Sequence, residues 1–299
     1  MAGYGKVTVG ILMGLSLAAC GTSPGSAPAA ARSWWRPPPA TGPLIYQLQG
    51  SSVPNAVGGV VLDFCPGQPA TSGCRAPAVF DIDLYSQVTG GREDVLARSA
   101  VAAIRARHAA AVCYVDAGTW ESWRPDAGRF PASILGRPNG WPGERWLDIR
   151  QLSVLLPIMR ARALRCREAG FQAIDWDNVD GYQNRTGFPL TAAEQLRYNR
   201  LLAEIAHRLG LAAGLKNDFA QVPQLVSYFD FAVDEQCLQY RECGMLEPFV
   251  RQHKPVYDIE YQGKVACPGR ELAGIWFSWQ SPTLRAAPWH PCPWVTPPT

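Results

Sequence analysis

Acids recur where short apolar runs end: Asp81 and Asp83, Asp116, Asp175, Asp177 and Asp180, Asp218, Asp234 and Glu235, then Asp258 and Glu260. Two carboxyl groups of different proton affinity can cleave a glycosidic bond. One donates a proton to the leaving oxygen, while the other attacks the anomeric carbon or activates water. So many carboxylates in one place would repel each other strongly at low dielectric. They are tolerable together if some are protonated, some meet Arg or Lys, and the site binds something positive. Trp120, Trp123, Trp141, Trp146, Trp176, Trp276 and Trp279 lie in or beside the same segments. A flat aromatic face packs against a sugar ring, although core packing is the commoner fate of any one Trp. Trp120, Trp279 and Glu121 are counted as candidates for substrate contact, with Tyr114, Asn178, Tyr182, Asn184, Lys216 and Asn217 as partners for sugar hydroxyls.

Other chemistries lack their residues. His108, His207, His253 and His290 stand outside the strand-end segments, and no Ser/His/Asp set emerges. No GxSxG turn supports an esterase or deacetylase. No GxGxxG or GxxxxGK[ST] run offers a phosphate cradle, so no nucleotide cofactor is expected. The histidines are scattered and CxxC is missing, which leaves no expected metal site.

The elements that must position these acids follow from periodicity. Eight runs read as strands: 44–50, 78–85, 110–118, 173–180, 212–218, 229–236, 255–261 and 274–280. Segments of helical period alternate with them. Val95, Leu96, Ala100, Ala103 and Ile104 mark a helix over 92–107; Leu155, Leu156, Met159, Ala163 and Cys166 mark one over 153–168, with Pro157 near its first turn. The helix after Thr191 is the best marked, with a capping box to Glu194, an apolar face of Leu202, Ile205, Ala206 and Leu209, and a stop at Gly210. Alternating strands and helices predict a single (β/α)8 TIM barrel, which would gather the strand-end acids on one face. A doubly wound sheet is the runner-up. Strict alternation puts Asp175 and Asp177 on the same face, so periodicity does not separate them.

Composition bounds the setting. The chain has 299 residues, 47% hydrophobic and 10% aromatic, with a net charge of +3, values that exclude a disordered chain and give no basic field for nucleic acid. A monomer is expected. Lys6 precedes the run VTVGILMGLSLAAC, too short to span a membrane and shaped like a secretory signal. It resembles a bacterial lipoprotein signal, which implies residues 1–19 as signal peptide and lipid on Cys20. Residues 20–43, rich in Pro, Ala, Gly and Ser, are expected to form a linker, and 44–299 the barrel. Setting Cys20 aside leaves an even number of cysteines, which favours disulfides in an oxidising compartment. Short spacings point to Cys65 with Cys74 and Cys237 with Cys243. Cys267 with Cys292 would tie down the tail, leaving Cys113 with Cys166. Residues 51–77 form an insertion that either rims the site or covers an edge.

The stretches CYVDAGTWESWRPD, GWPGERWLDIR, DWDNVDGYQNRTGFPLT, GLKND, DEQCLQYREC and PVYDIEY together resemble glycoside hydrolase family 114, the endo-α-1,4-polygalactosaminidases. The resemblance covers most of 44–280 and implies a TIM barrel that hydrolyses α-1,4 linkages in a galactosamine-containing polysaccharide. It selects Asp177 in the DN of DWDNVDGY, and Glu235 in the EQC motif, as the catalytic acids. By analogy with retaining barrel glycosidases, Asp177 is assigned as nucleophile and Glu235 as general acid/base. A deacetylated unit carries an ammonium, so Asp83, Asp116, Asp218 and Glu260 are expected to meet it; the competing reading is that such acids hold Lys216, Arg124 and Arg150. Two other functions stand beside this one: a noncatalytic polysaccharide-binding lipoprotein, and a barrel glycosidase for another α-linked sugar.

Overall fold

The structure, a computed structural model, describes residues 33–37, 41–66, 74–88, 95–261 and 266–297. The signal peptide, Cys20 and most of the expected linker lie outside the described residues. All eight expected runs form strands: β1 Leu44–Gln47, β2 Val79–Asp83, β3 Ala110–Asp116, β4 Ala173–Asp177, β5 Ala212–Lys216, β6 Phe231–Glu235, β7 Val256–Glu260 and β8 Ile275–Gln280. Each pairs in parallel with the next, in chain order. A doubly wound sheet would reverse its order at a switch point; this one never does. It curls into a nearly closed barrel. At the seam the Tyr46 N–H donates to Gln280 Oε1 (3.3 Å) and Trp289 Nε1 donates to the Leu44 carbonyl (3.0 Å).

Alternation sorts each strand into an inner and an outer face. Leu44, Tyr46, Val79, Val112, Tyr114, Phe231, Val233, Tyr257, Ile259 and Trp276 fill the barrel interior. Ile45, Phe80, Ile82, Cys113, Ile174, Trp176, Leu215 and Phe277 face the outer layer. Gly214 sits on the inner face because a Cβ there would come within 2.5 Å of the Phe231 ring.

Three long helices cover the outside: α1 Arg98–Ala106, α2 Leu152–Ala169 and α3 Ala192–Arg208. α3 carries the expected capping box between Thr191 and Glu194. α1 begins later than expected. Leu96 bridges to Tyr85, and the Ala97 N–H bonds the Leu84 carbonyl, so the end of β2 captures this stretch before a helix can start. Val95 is consequently exposed and only Ala100, Val101 and Ile104 are buried. Later connections are short: α4 Val222–Leu225, α5 Cys237–Tyr240 and α6 Glu247–Arg251.

The insertion after β1 takes a helix's place. Ala56–Val57 and Val60–Val61 form a small hairpin that buries Val60 and Leu62 in the outer layer, so it covers an edge. A second insertion, after β3, was not anticipated. Thr119–Glu121, Leu135–Pro138 and Glu144–Leu147 form a three-stranded antiparallel sheet with 144–147 in the middle. Its signal was present in the turn residues of Pro138-Asn139-Gly140 and Pro142-Gly143 between short runs. All four expected disulfides form: Cys65–Cys74, Cys113–Cys166, Cys237–Cys243 and Cys267–Cys292.

The stretch expected as linker is partly docked. Trp34 stacks on His207 with ring centroids 4.0 Å apart and donates to Asp230 (3.0 Å), while Trp35 packs against the barrel's inner cluster. The compact body accordingly includes Trp34 and Trp35 as well as the barrel. Two large aromatic rings have more to gain from burial than from solvation, whatever the proline content around them.

Candidate active site

Three neighbouring strands, β4, β5 and β6, end in Asp177, Lys216 and Glu235, all on the inner face. Lys216 Nζ lies 3.1 Å from Asp177 Oδ1 and 3.1 Å from Glu235 Oε2, so one ammonium bridges the two acids. Two such legs meeting at one nitrogen keep those oxygens within about 6.2 Å of each other. Asp177 also accepts from the Tyr114 hydroxyl (2.7 Å) and from Asn178 Nδ2 (3.4 Å). Glu235 accepts from the Tyr261 hydroxyl, and its own N–H donates to Asn217 Oδ1 (3.0 Å). Lys216 donates to the Tyr46 hydroxyl (3.1 Å). Burial opposes a charge on Lys216, but Asp177, Glu235 and Asp175 outweigh it and hold the ammonium well above its usual range. Burial, reinforced by Asp177 and other nearby acids, also pushes the Tyr46 and Tyr114 phenols up, which keeps them protonated.

The residue after each of these three strands is left-handed: Asn178 (φ 58°), Asn217 (φ 50°) and Gln236 (φ 62°). Such a conformation costs a non-glycine residue on the order of 1 kcal/mol and turns the chain sharply at the strand end. Gly118 is needed here as well, since a Cβ would fall 1.6 Å from the Asn178 carbonyl oxygen.

The remaining sequence candidates separate into groups. Asp175 lies beneath the pair, fully buried on the same face as Asp177, out of a ligand's reach. Neither it nor Asp81 receives a hydrogen bond from an N–H or hydroxyl among the described residues. The two carboxyls face each other, and a proton on one can donate to the other. Burial drives Asp81 well up and Asp175 up to about 7, which fits one shared proton. Asp116 accepts from the Thr119 N–H (2.7 Å), the Thr119 hydroxyl and Asn178 Nδ2 (2.9 Å). Asp180 is pushed to about 6 by burial and by Asp177. Asp218 is held away from the mouth by Asn199 Nδ2 (2.9 Å) and Tyr182, and burial lifts it to about 8.

Glu260 and Trp279 fall on the wrong parity. Tyr257, Ile259 and Trp276 point inward, so Asp258, Glu260 and Trp279 point outward. Glu260 accepts the Leu238 N–H (2.7 Å) and Asp258 the Cys237 N–H (3.0 Å), tying down the start of α5, while Trp279 packs in the outer layer. Asp83 and Glu121 are both met by Arg124, at 2.7 and 2.6 Å, and Arg162 lies 3.8 Å from Glu121. Trp120 donates to the Ala127 carbonyl (3.1 Å) and packs partly buried on the outer layer. Each of the four acids expected to meet a sugar ammonium has partners of its own in the fold. Arg124 neutralises Asp83, donors surround Asp116, Asn199 holds Asp218, and Glu260 faces outward.

Beside the pair opens a cleft of about 590 Å³ walled by Asp83, Glu121, Trp123, Arg124, Trp141 and Glu144; Tyr114 is common to the cleft and the pair. Asp116, Glu121 and Glu144 bring carboxylate oxygens within 4.8 Å of one another, as do Cys237, Asp258 and Glu260 for their ligand atoms. Arg124 and Arg162 already occupy Glu121, and Cys237 is in a disulfide, so neither set offers a metal the open ligands it needs. Sequence reasoning missed Tyr46, Tyr261 and Glu144. The two tyrosines share the inward parity of their strands; Glu144 follows a turn glycine and had no comparable signal.

An eight-stranded parallel barrel whose mouth holds a lysine-bridged carboxylate pair beside an aromatic-edged cleft is the architecture of a barrel glycosidase. Glycoside-hydrolase family GH114 matches residues 25–276, and the chain belongs to that family: it is a glycoside hydrolase. The chain is similar to Aspergillus fumigatus Ega3, solved in complex with galactosamine, at 27% identity and a TM-score of 0.70, over 87% of this chain and 98% of that one. The glycoside hydrolase domain of PelA from Pseudomonas aeruginosa shares the fold, at 16% identity and a TM-score of 0.51, over 74% and 95% of the two chains. Among curated proteins none matches the sequence.

Proposed function

We propose that the protein is a membrane-tethered endo-glycosidase that cleaves α-1,4 linkages in a galactosamine-containing polysaccharide with Asp177 and Glu235. The observation that carries this is the bridging of both carboxylates by Lys216 at the barrel mouth. The galactosamine bound by Ega3 supports the substrate class. Asp177 attacks the anomeric carbon while Glu235 passes its proton to the departing glycosidic oxygen. Water, deprotonated by Glu235, then displaces Asp177 from the glycosyl ester. The Lys216 bridge brings one oxygen of each carboxylate close to the other, which supports the retaining assignment. Lys216, only 1% exposed, does not reach sugar and acts through the two acids. The lipobox-like Leu17-Ala18-Ala19-Cys20 supports a lipid on Cys20, and four disulfides fit an oxidising compartment.

The test is product release from galactosamine-rich and galactose-rich polymers, with the anomer of the first product followed by NMR. α-Configured products from the first polymer, abolished in Asp177→Asn and in Glu235→Gln, are expected. Release from the galactose polymer alone overturns the substrate, and binding without products overturns the enzyme. Radiolabelled palmitate should appear in the parent chain and not in Cys20→Ser; label in neither overturns the anchor.

A further inference from the structure

The cleft beside the pair carries an acid that no cation among the described residues meets. Of the acids that wall it, Asp83 and Glu121 are both taken by Arg124. Glu144 meets no lysine or arginine among the described residues. Its Oε2 accepts from Asn139 Nδ2 (2.5 Å) and the Thr119 hydroxyl (3.2 Å), and its Oε1 has no partner among the described residues. The side chain is only 6% exposed yet lines the cleft, so an almost wholly desolvated carboxylate is aimed into an open volume. Asp116 and Glu121 lie close enough to deepen the negative potential there. Burial without a cation favours the protonated form of such an acid, and a positive group arriving from the cleft favours its charged form, so the two would bind as an ion pair.

The shape of the cleft narrows what that group belongs to. Trp123 and Trp141, 38% and 50% exposed, stand on its wall. A ligand with a flat apolar face and a primary ammonium fits both features; a bare divalent ion has no face for the tryptophans and would meet Glu121 already occupied by Arg124 and Arg162. We propose that Glu144 anchors the ammonium of an aminosugar residue next to the cleavage point, with Trp123 and Trp141 stacking on its ring. This deepens the proposed function and rests on it for the identity of the sugar. Tyr114, which belongs to the cleft and donates to Asp177, sets the spacing between the anchored sugar and the bond that is cut.

Calorimetry on the full chain carrying Asp177→Asn tests this with two galactosamine oligosaccharides, one with free amines and one fully N-acetylated. Adding Glu144→Gln should weaken the amine form about tenfold or more and the acetylated form less than twofold, since one charge-assisted contact is lost. Trp141→Ala, at a half-exposed position that folding tolerates, should weaken both alike. Equal losses on both oligosaccharides for Glu144→Gln, or no loss on either, overturn the assignment. Glu144→Asp, keeping the charge at a shorter reach, should retain part of the preference for the amine; a folded Glu144→Asp with no preference also overturns it. Turnover is scored separately on the parent chain. Cleavage without an amine-dependent effect of Glu144 leaves the proposed function standing and removes this one, and amine-dependent binding without cleavage does the reverse.

Discussion

Asp234 and Glu235 are neighbours on β6, and they live in different parts of the molecule. Glu235 points into the barrel, where it shares Lys216 with Asp177 and borders the cleft. Asp234 points outward into the layer under α5, fully buried, with both oxygens unpartnered among the described residues and its proton held by burial and by Asp258. The same division separates the whole set of strand-end acids. Asp81, Asp175, Asp177 and Glu235 crowd around one inner lysine, while Asp258 and Glu260 fasten the first turn of α5 by accepting its N–H groups. Of the inner acids, Asp177 and Glu235 can act on a ligand because they sit at the mouth with a cation between them, while Asp81 and Asp175 are buried below. Outer acids hold a loop, and chemistry is beyond their reach.

The largest effect should come from crossing that division by one residue. Glu235→Gln should lower kcat by about 10²–10⁴-fold, the range of a lost proton donor, while Asp234→Asn changes it by less than about twofold. Comparable kcat losses in the two would break the comparison. Lys216→Met comes next. It leaves Asp177, Glu235 and Asp175 facing one another without their cation, at a cost of about 3–5 kcal/mol in denaturant unfolding. The pH optimum of turnover should also move to higher pH, because losing the ammonium favours protonated forms of the acids it faced. An unshifted profile would assign Lys216 to stability alone.

The smallest effect, counted for one group over one pH unit, is the pH dependence of folding. Asp175 and Glu144 at about 7, and Asp218 at about 8, keep protons in the folded protein that the unfolded chain releases near pH 4. The folded state therefore binds more protons across that window. Stability is greatest on its acidic side and falls as pH rises, on the order of 1 kcal/mol per pH unit for each group. Tm should be highest near about pH 4–5 and decline towards pH 8. Asp218→Asn should flatten the decline; a Tm that rises over this range would contradict the raised values.

Much of the frame was legible because it is written locally. Strands such as Ala110–Asp116 and Ala173–Asp177 announce themselves by β-branched, aromatic and small residues ending in acids, and the Thr191/Glu194 box is a purely local signal. The start of α1 was misplaced because Leu96 is captured by Tyr85, a contact with the end of β2 that no helical period records. Trp34 looked like linker for the same reason. Its partners, His207 and Asp230, are far away in the chain. The sheet carrying Glu121 and Glu144 was overlooked because its strands are only three or four residues long, too short for alternation to show.

By itself the chain determined which runs become strands and in what order, that Cys65/Cys74 and Cys237/Cys243 are spaced closely enough to join, and that Asp175 and Asp177 share a face. Only the folded barrel decided which face is inward, that Asp175 lies below and Asp177 above, and that one lysine stands between Asp177 and Glu235. Alternation is a property of a single strand and is fixed by backbone geometry. Inside and outside, above and below, depend on how neighbouring strands tilt and stagger around a closed sheet, which no strand carries alone.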